Sequence, residues 1–239
     1  MSSKRFPGKV LQDLIGKPMI IRQIRRIQRA NSIGKVVVAT TSSEDDDLLA
    51  STLLENEIEI YRGATDDVIS RYVKVVRKFQ ANVVVRLTAD CPLVMPELVD
   101  DMIEEFANNN WDYLSNTISP TYPDGLDVEV FNATSLMSLY SMDLTNLEKE
   151  HVTLGFHNRN KRFILQNYQS GIDYSNMRWT VDYLEDLEFI RQVYLNFQGR
   201  ENLFGFQEVL NLMRENPGMK SSIPANYRNE ALPKNRILD

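Results

Sequence analysis

The sequence predicts an α/β fold with a mostly parallel sheet. Over the first 110 of its 239 residues, short apolar runs alternate with segments whose apolar residues recur at helical spacing. Two of the runs, KVVVATT (35–41) and NVVVRLT (82–88), are apolar at consecutive positions. Runs of this kind are typical of strands that are covered on both faces, as in a parallel sheet.

The elements of this first part follow one another in strand–helix order. In the first helix, Ile20, Ile24 and Ile27 share one face and arginines occupy the other. The second helix has Ser42 or Ser43 as its N-cap and acidic residues in its first turn. The predicted elements are helix 19–30, strand 35–41, helix 42–55, strand 58–61, helix 66–79 and strand 82–88.

The pattern changes after residue 110. The segments WDYLSN and LDVEVF flank the turn-rich SPTYPDG and predict an inserted β-arm at about 111–165. With no internal repeat and no low-complexity linker, residues 1–239 are expected to form one domain. The remaining predicted elements are a helix at 132–142, strands at 161–168 and 177–182, and helices at 183–197 and 205–218.

Composition narrows the class of protein. The chain is 43% hydrophobic and 25% charged, as in ordinary globular domains. Its net charge of −6 disfavours a nucleic acid partner, although a small anion can still bind in a locally basic pocket. The single cysteine, Cys91, suits a reducing compartment. No apolar run has membrane-span length and MSSKRFPGK is not a signal peptide, so we expect a cytoplasmic protein without membrane contact.

Two aspartates follow predicted strands. Asp90 ends NVVVRLTAD and Asp182 ends RWTVD. Ligands of open α/β sheets bind outside the carboxyl ends of the strands, and two carboxylates there would suit Mg²⁺ with a nucleoside triphosphate. From position alone, a helix-capping role for Asp182 and a turn-forming role for Asp90 explain the residues equally well.

A basic segment lies near the start of the chain. In Lys4-Arg5-Phe6-Pro7-Gly8-Lys9, three cations flank a Pro-Gly turn, an arrangement that can bring ammonium and backbone N–H groups onto a polyphosphate. A solvated basic terminus is the simpler alternative. Neither of the usual glycine-rich phosphate loops is present. His151 and His157 are six residues apart, which does not place them on one helix face, so a zinc pair is not expected.

Seven motifs, in order, resemble those of a known family. They are KRFPGKVL, VVVATTSSEDD, YRGATDDVISRY, VVVRLTADCPLV, YPDGLDVEVF, EKEHVT and RWTVDYLEDLEFIR. Together they resemble the spore coat polysaccharide protein F group, which is similar to CMP-KDO synthetases and acylneuraminate cytidylyltransferases. The resemblance implies a Rossmann-like nucleotidyltransferase fold and homodimerisation through the inserted arm. It also implies Mg²⁺-dependent transfer of a cytidylyl group from CTP to an acidic sugar, a ulosonic or nonulosonic acid, for surface or coat polysaccharide.

The same resemblance assigns residues to roles. Lys9 would contact the triphosphate with help from Arg5, and Asp90 and Asp182 would hold Mg²⁺. The nucleotide side would include Ser3, Lys9, Thr40, Thr41, Ser42, Arg62, Asp66, Asp67, Arg86 and Thr88. The sugar side would include Tyr122, Asp124, Gly125, Asp127, Glu150 and His151.

One departure from the family pattern concerns the start of the chain. Family members begin with a buried strand that ends in a segment like Ala-Arg-Met-Gly-Ser, whereas this sequence opens with Met1-Ser2-Ser3. We therefore expect the first family strand to be absent, with a gap, an unpaired edge or an intruding segment from another chain between strands 35–41 and 82–88. Two alternatives stay open: a nucleotidyltransferase that uses another base or a sugar 1-phosphate, and a nucleotide-binding protein that is catalytically inactive because the strand is missing.

Overall fold

The computed structural model describes residues 5–220 and residue 223. Ser3 and Lys4, and the expected absence of a first strand at Met1, lie outside the described residues. The strands are β1 Val37–Thr41, β2 Glu59–Gly63, β3 Val83–Arg86, β4 Tyr113–Ser115, β5 Glu129–Asn132 and β6 Leu165–Asn167. The helices are α1 Met19–Ile27, α2 Asp47–Glu55, α3 Val68–Phe79, α4 Pro96–Ala107, α5 Ala133–Tyr140, α6 Asn146–Glu150, α7 Leu154–His157, α8 Leu184–Asn196 and α9 Phe206–Glu215.

These strands form two sheets. β1 and β2 pair in parallel, and the second sheet has the order β3-β5-β4-β6. β5 runs antiparallel to both of its neighbours, while β4 and β6 pair in parallel, so β3, β4 and β6 share one direction. The predicted α/β fold with mostly parallel strands is confirmed, and β5 is the reversed strand.

β1 and β3 depart from the prediction that both are covered on each side. In the part of the chain that the structure describes, β1 pairs with β2 alone and β3 with β5 alone. Every residue of β1 except Thr40 is half-buried, and Val83 of β3 is 43% exposed. Each strand is therefore the edge of its own sheet, in agreement with the expected gap between them.

Residues 177–182 are a second correction, because they were predicted as a strand and form no ladder. Arg178 makes one isolated bridge with Asp124. The backbone N–H of Trp179 donates to Asp124 O at 2.6 Å, and that of Val181 donates to Asp90 O at 2.8 Å. The segment is extended, but its hydrogen-bond partners belong to two separate loops rather than to a strand.

The predicted arm at 111–165 is built into the second sheet. It supplies β4, β5 and the first residue of β6, and its Tyr113 and Phe131 are fully buried. These two rings lie in an apolar cluster with residues of α3, α5 and α7. The segment therefore supports the sheet, and its role in dimerisation stays a prediction.

Two further apolar clusters complete the core. One joins α1 and α2 to the β1–β2 sheet through Ile21, Leu53 and Ile58. The largest packs α4, α8 and the extended 177–182 segment around the fully buried Trp179. No helix among the described residues is long and apolar enough to cross a bilayer.

Candidate functional site

The Lys9 side chain lies between the two aspartates that follow predicted strands. Its Nζ donates to Asp90 Oδ2 at 2.9 Å, to Asp182 Oδ1 at 2.9 Å and to the carbonyl oxygen of Val181 at 2.7 Å. The Lys9 side chain is 12% exposed, so it is not part of a solvated terminus. The structure thus brings together three residues that are up to 173 positions apart in sequence.

The charges of this cluster stabilise one another. Burial alone would lower the pKa of Lys9, but Asp90 and Asp182 outweigh it and raise this pKa above its usual value. Burial favours the protonated form of each carboxyl, yet the nearby Lys9 ammonium holds the pKa of both Asp90 and Asp182 below the usual range. All three groups are therefore charged at neutral pH.

Arg5 adds a second cation at Asp182. Its Nη2 lies 2.7 Å from Asp182 Oδ1, the oxygen that also accepts from Lys9. The guanidinium stands over the ring of Tyr183, 5.5 Å from the ring centre. The basic segment thus folds onto the acidic end of the extended segment, with Arg5 still one-third exposed at 33%.

Arg178 fixes Asp182 from the opposite side, and the sequence did not single it out. Its guanidinium donates to Asp182 Oδ2 at 3.1 Å, to Asp124 Oδ2 at 2.9 Å and to both oxygens of Asp186. Asp186 in turn accepts from the backbone N–H groups of Asp182 and Tyr183. In the sequence, the only indication of this role is the segment RWTVDYLED, in which Arg178 precedes Asp182 by four residues and Asp186 by eight.

Comparison with known proteins identifies the family that carries this cluster. The family model described as cytidylyltransferase matches residues 1–215. The chain belongs to the cytidylyltransferase family. It is 31% identical to the spore coat polysaccharide biosynthesis protein SpsF of Bacillus subtilis strain 168, with 91% of this chain and 92% of that protein covered.

Two more relatives agree. A solved cytidylyltransferase structure from Leptospira borgpetersenii superposes with a TM-score of 0.88 at 27% identity, covering 93% of this chain and 94% of that one. The 3-deoxy-manno-octulosonate cytidylyltransferase of Geobacter sulfurreducens is 34% identical over 45% of this chain and 42% of its own length. The Rossmann-like nucleotidyltransferase fold expected from the resemblance is thereby confirmed.

The donors at this site suit the divalent cation that the resemblance implies. Asp90 and Asp182 each direct one oxygen at the Lys9 ammonium, which occupies the point on which both carboxylates converge. Carboxylate oxygens are the ligands that Mg²⁺ prefers, and such sites take one or two carboxylates plus phosphate and water oxygens. Within residues 5–220 and 223, no group of three or more acidic, histidine or cysteine side chains forms a further candidate site.

The hydroxyl groups predicted at the base side of this cytidylyltransferase are engaged within the protein. Thr40 Oγ1 and Thr41 Oγ1 donate to Asp46 Oδ2 at 2.5 and 2.6 Å. Ser42 Oγ donates to the carbonyl oxygen of Gly63 at 2.9 Å. These hydrogen bonds fix the end of β1 and the loop that follows it, at the carboxyl edge of the β1–β2 sheet. Direct contact of the three residues with a nucleotide stays a prediction.

Arg62, Asp66 and Asp67 belong to the same edge. Arg62 donates to the carbonyl oxygens of Thr41 and Ser43 at 2.9 and 2.7 Å, which ties the loop after β1 to β2. Asp67 caps α3 by accepting from the backbone of Ser70, and Asp66 is exposed. The structure therefore gives Arg62 and Asp67 structural contacts, while Asp66 is open to solvent.

Arg86 and Thr88 lie at the end of β3. Arg86 forms a buried ion pair with Glu129 of β5, and Tyr113 donates its hydroxyl to the other Glu129 oxygen at 2.6 Å. Burial would lower the pKa of Arg86, but Glu129 raises it above its usual value. Thr88 Oγ1 contacts Cys91 Sγ at 3.3 Å, directly beside Asp90.

The predicted sugar-side residues fall into three places. Asp124 and Gly125 join the cluster at Asp182 through Arg178 and Trp179, and half-buried Asp127 follows them. Tyr122 stacks on Tyr168. Glu150 ends α6 and His151 caps it, where burial lowers the pKa of His151.

Proposed function

We propose that this cytidylyltransferase transfers the cytidylyl group of CTP to an acidic sugar, a ulosonic or nonulosonic acid, and releases pyrophosphate. The observation that carries the proposal is the convergence of Asp90 and Asp182 on the Lys9 ammonium, next to Arg5. A paired set of carboxylates and cations at a strand end suits a triphosphate with its metal. The similarity to SpsF supports an acceptor that belongs to polysaccharide biosynthesis.

In this reaction a sugar hydroxyl attacks the α-phosphorus in line with the departing pyrophosphate. Catalysis of such transfers rests on positioning and on charge neutralisation. When bound, Mg²⁺ on Asp90 and Asp182 would supply positive charge next to the phosphate oxygens. Lys9 would turn from the aspartates onto the triphosphate, and Arg5 would remain beside it. Arg178 would keep Asp182 in place while Lys9 moves.

Assembly and location form part of the same proposal. We place the enzyme in the cytoplasm as a homodimer in which residues 111–165 contribute contacts. Size-exclusion chromatography with light scattering tests the dimer directly. A monomer at micromolar concentration would remove the dimer from the proposal and leave the proposed chemistry untouched.

The decisive experiment measures pyrophosphate release. The four nucleoside triphosphates are each combined with a panel of ulosonic and nonulosonic acids and of sugar 1-phosphates, with and without Mg²⁺. We expect release only with CTP, an acidic sugar and Mg²⁺. Lys9→Met should abolish it, and Lys17→Met, which alters an exposed lysine nearby, should not. Release with a sugar 1-phosphate, or with another nucleotide, would replace the proposed substrates.

A further inference from the structure

The Lys9 ammonium binds the carboxylate oxygens that a divalent cation would need. Its Nζ lies 2.9 Å from Asp90 Oδ2 and 2.9 Å from Asp182 Oδ1. The second oxygen of Asp90 contacts Cys91 Sγ at 3.5 Å. The second oxygen of Asp182 accepts from Arg178 at 3.1 Å. All four carboxylate oxygens therefore have partners within the protein, and Lys9 is the partner that both aspartates share.

The two aspartates are fixed relative to each other by their backbones. The N–H of Val181 donates to Asp90 O at 2.8 Å. The N–H of Asp182 donates to Oδ2 of the fully buried Asp186 at 2.9 Å. These bonds join the loop after β3 to the segment that precedes α8. The two carboxylates therefore cannot separate to admit a cation beside Lys9 without the loss of buried hydrogen bonds.

The side chain of Lys9 is the part of the cluster that can move. Its backbone belongs to a short 3-10 turn, Lys9–Leu11, which follows Gly8 at a φ of +69°. The N–H of Lys9 donates to Phe6 O at 3.2 Å and anchors this turn. Beyond the anchored backbone, the ammonium is carried on a flexible four-carbon stem. The ammonium can therefore leave the aspartates while the turn stays in place.

Repulsion prevents the ammonium and a divalent cation from binding these oxygens together. Because Nζ is 2.9 Å from Asp90 Oδ2, a Mg²⁺ ion on that oxygen at about 2.1 Å would lie no more than about 5 Å from Nζ. At this separation, the repulsion between the two cations weakens binding by at least about tenfold, even at the dielectric constant of water. Water screens this pair poorly, since the Lys9 side chain is 12% exposed.

We propose that Lys9 keeps the divalent cation off Asp90 and Asp182 until a nucleotide binds. Without a nucleotide, an ammonium that left the aspartates would lose three acceptors, two of them charged. The oxygens of a triphosphate replace these acceptors, so the ammonium moves onto them and uncovers both carboxylates. Metal and nucleotide therefore bind cooperatively, and Lys9 couples the two events. This inference rests on the proposed function, because it concerns the metal and the nucleotide of that reaction.

Calorimetric titration with Mg²⁺ alone, without nucleotide or sugar, tests the proposal. The wild type is compared with Lys9→Met, Lys9→Gln and Lys17→Met. Lys17 is the matched control, an exposed lysine in the same part of the chain. Both Lys9 variants should bind Mg²⁺ at least about tenfold more tightly than the wild type. Lys17→Met should bind Mg²⁺ as weakly as the wild type does.

A second substitution locates the gain in affinity. When Asp90→Asn is added to Lys9→Met, one of the two carboxylates is removed, so the double variant should lose the gain. Thermal melts give an independent readout, because a ligand that binds the folded state raises the melting temperature. Mg²⁺ should raise the melting temperature of both Lys9 variants more than that of the wild type.

Three outcomes would overturn the proposal. The first is equal Mg²⁺ affinity in the wild type and both Lys9 variants, and the second is a gain that survives Asp90→Asn. If neither Lys9 variant folds, the wild type decides, and the third outcome is a rise in its melting temperature with Mg²⁺ alone that Asp90→Asn removes. The absence of such a rise would support the proposal.

Pyrophosphate release judges the proposed function separately. Release by the wild type, together with unchanged Mg²⁺ affinity in the Lys9 variants, would remove this inference and leave the proposed function in place. Tighter Mg²⁺ binding in the Lys9 variants, without release on any sugar of the panel, would support this inference and remove the proposed substrates.

Discussion

Gly125 holds the turn that joins Asp124 to the 177–182 segment, and replacing it should be severe. Its φ is +103°, a conformation that residues with a side chain rarely adopt. A Cβ at this position would lie 2.4 Å from the backbone nitrogen of Thr180 and 2.5 Å from the carbonyl carbon of Trp179. Both contacts are with backbone, so Gly125→Ala can be accommodated only if one of the two segments moves.

The magnitude follows from two separate costs. The unfavourable φ costs about 1–3 kcal/mol. Movement of either segment also disturbs the buried Asp124–Arg178 ion pair at 2.9 Å, and breaking a buried pair costs about 3–5 kcal/mol. We therefore expect Gly125→Ala to lower the free energy of unfolding by more than about 4 kcal/mol, which places it among the exceptional single substitutions.

Two other glycines separate these costs. Gly199 has a φ of +84° but no atom within 4 Å of an added Cβ, so Gly199→Ala should lose only the conformational part, about 1–3 kcal/mol. Gly171 has open space and no positive φ, so Gly171→Ala should stay within about 1 kcal/mol of the wild type. Urea unfolding, followed by tryptophan fluorescence, gives all three values. If Gly125→Ala and Gly199→Ala lose the same stability within about 1 kcal/mol, the argument from backbone overlap is refuted.

Three further predictions concern the charged groups. Asp90→Asn and Asp182→Asn should each reduce pyrophosphate release by at least about a hundredfold, with circular dichroism unchanged, since each removes a charge from the proposed metal site; an active Asn variant would contradict this. Lys9→Met leaves two carboxylates facing each other, so this variant should lose about 1–3 kcal/mol of stability. Mg²⁺ should recover part of that loss in thermal melts. Equal melting temperatures of the variant and the wild type would disprove this prediction. For Glu148, burial raises the pKa, but contacts from Arg159, Asn158 and Thr145 outweigh it and lower the pKa to about 2. The ionised Glu148 side chain therefore contributes its full share of stability above pH 4.5, and this share is lost as the pH falls towards 2. In acid denaturation across this range, the free energy of unfolding of the wild type should fall by up to about 3 kcal/mol more than that of Glu148→Gln. Parallel curves for the two proteins would refute the pairing.

Local signals mark the residues of the central cluster, and the resemblance to the family assigns their roles. Asp90 follows an apolar run and Lys9 follows a Pro-Gly turn, but from position alone a turn-forming aspartate and a solvated basic terminus explain these residues as well. The same local patterns predict most helices and strands, including α1, α3 and α8.

What the sequence did not reveal depends on contacts between distant segments. Arg178 looked like an ordinary arginine, since its partner Asp124 is 54 positions away. Arg71 looked like a residue of a polar helix face, and only its position against Gly63 shows that it is buried. The 177–182 segment has the composition of a strand, yet its backbone partners are loop residues, which no periodicity can show.

The division of the sheet has a consequence for how the molecule opens. No hydrogen-bonded ladder joins β1 to β3 in the described part of the chain, and the β1–β2 layer has its own apolar cluster with α1 and α2. Such a layer can exchange its amide hydrogens by local opening, while the β3-β5-β4-β6 sheet stays closed. Thr40 and Thr41, which are predicted to lie at the base side of a nucleotide, belong to β1 of the first layer, whereas Asp90 follows β3 of the second. A nucleotide that contacts both layers would hold them together. Its binding should therefore slow amide hydrogen exchange in β1 and β2 more than in the larger sheet.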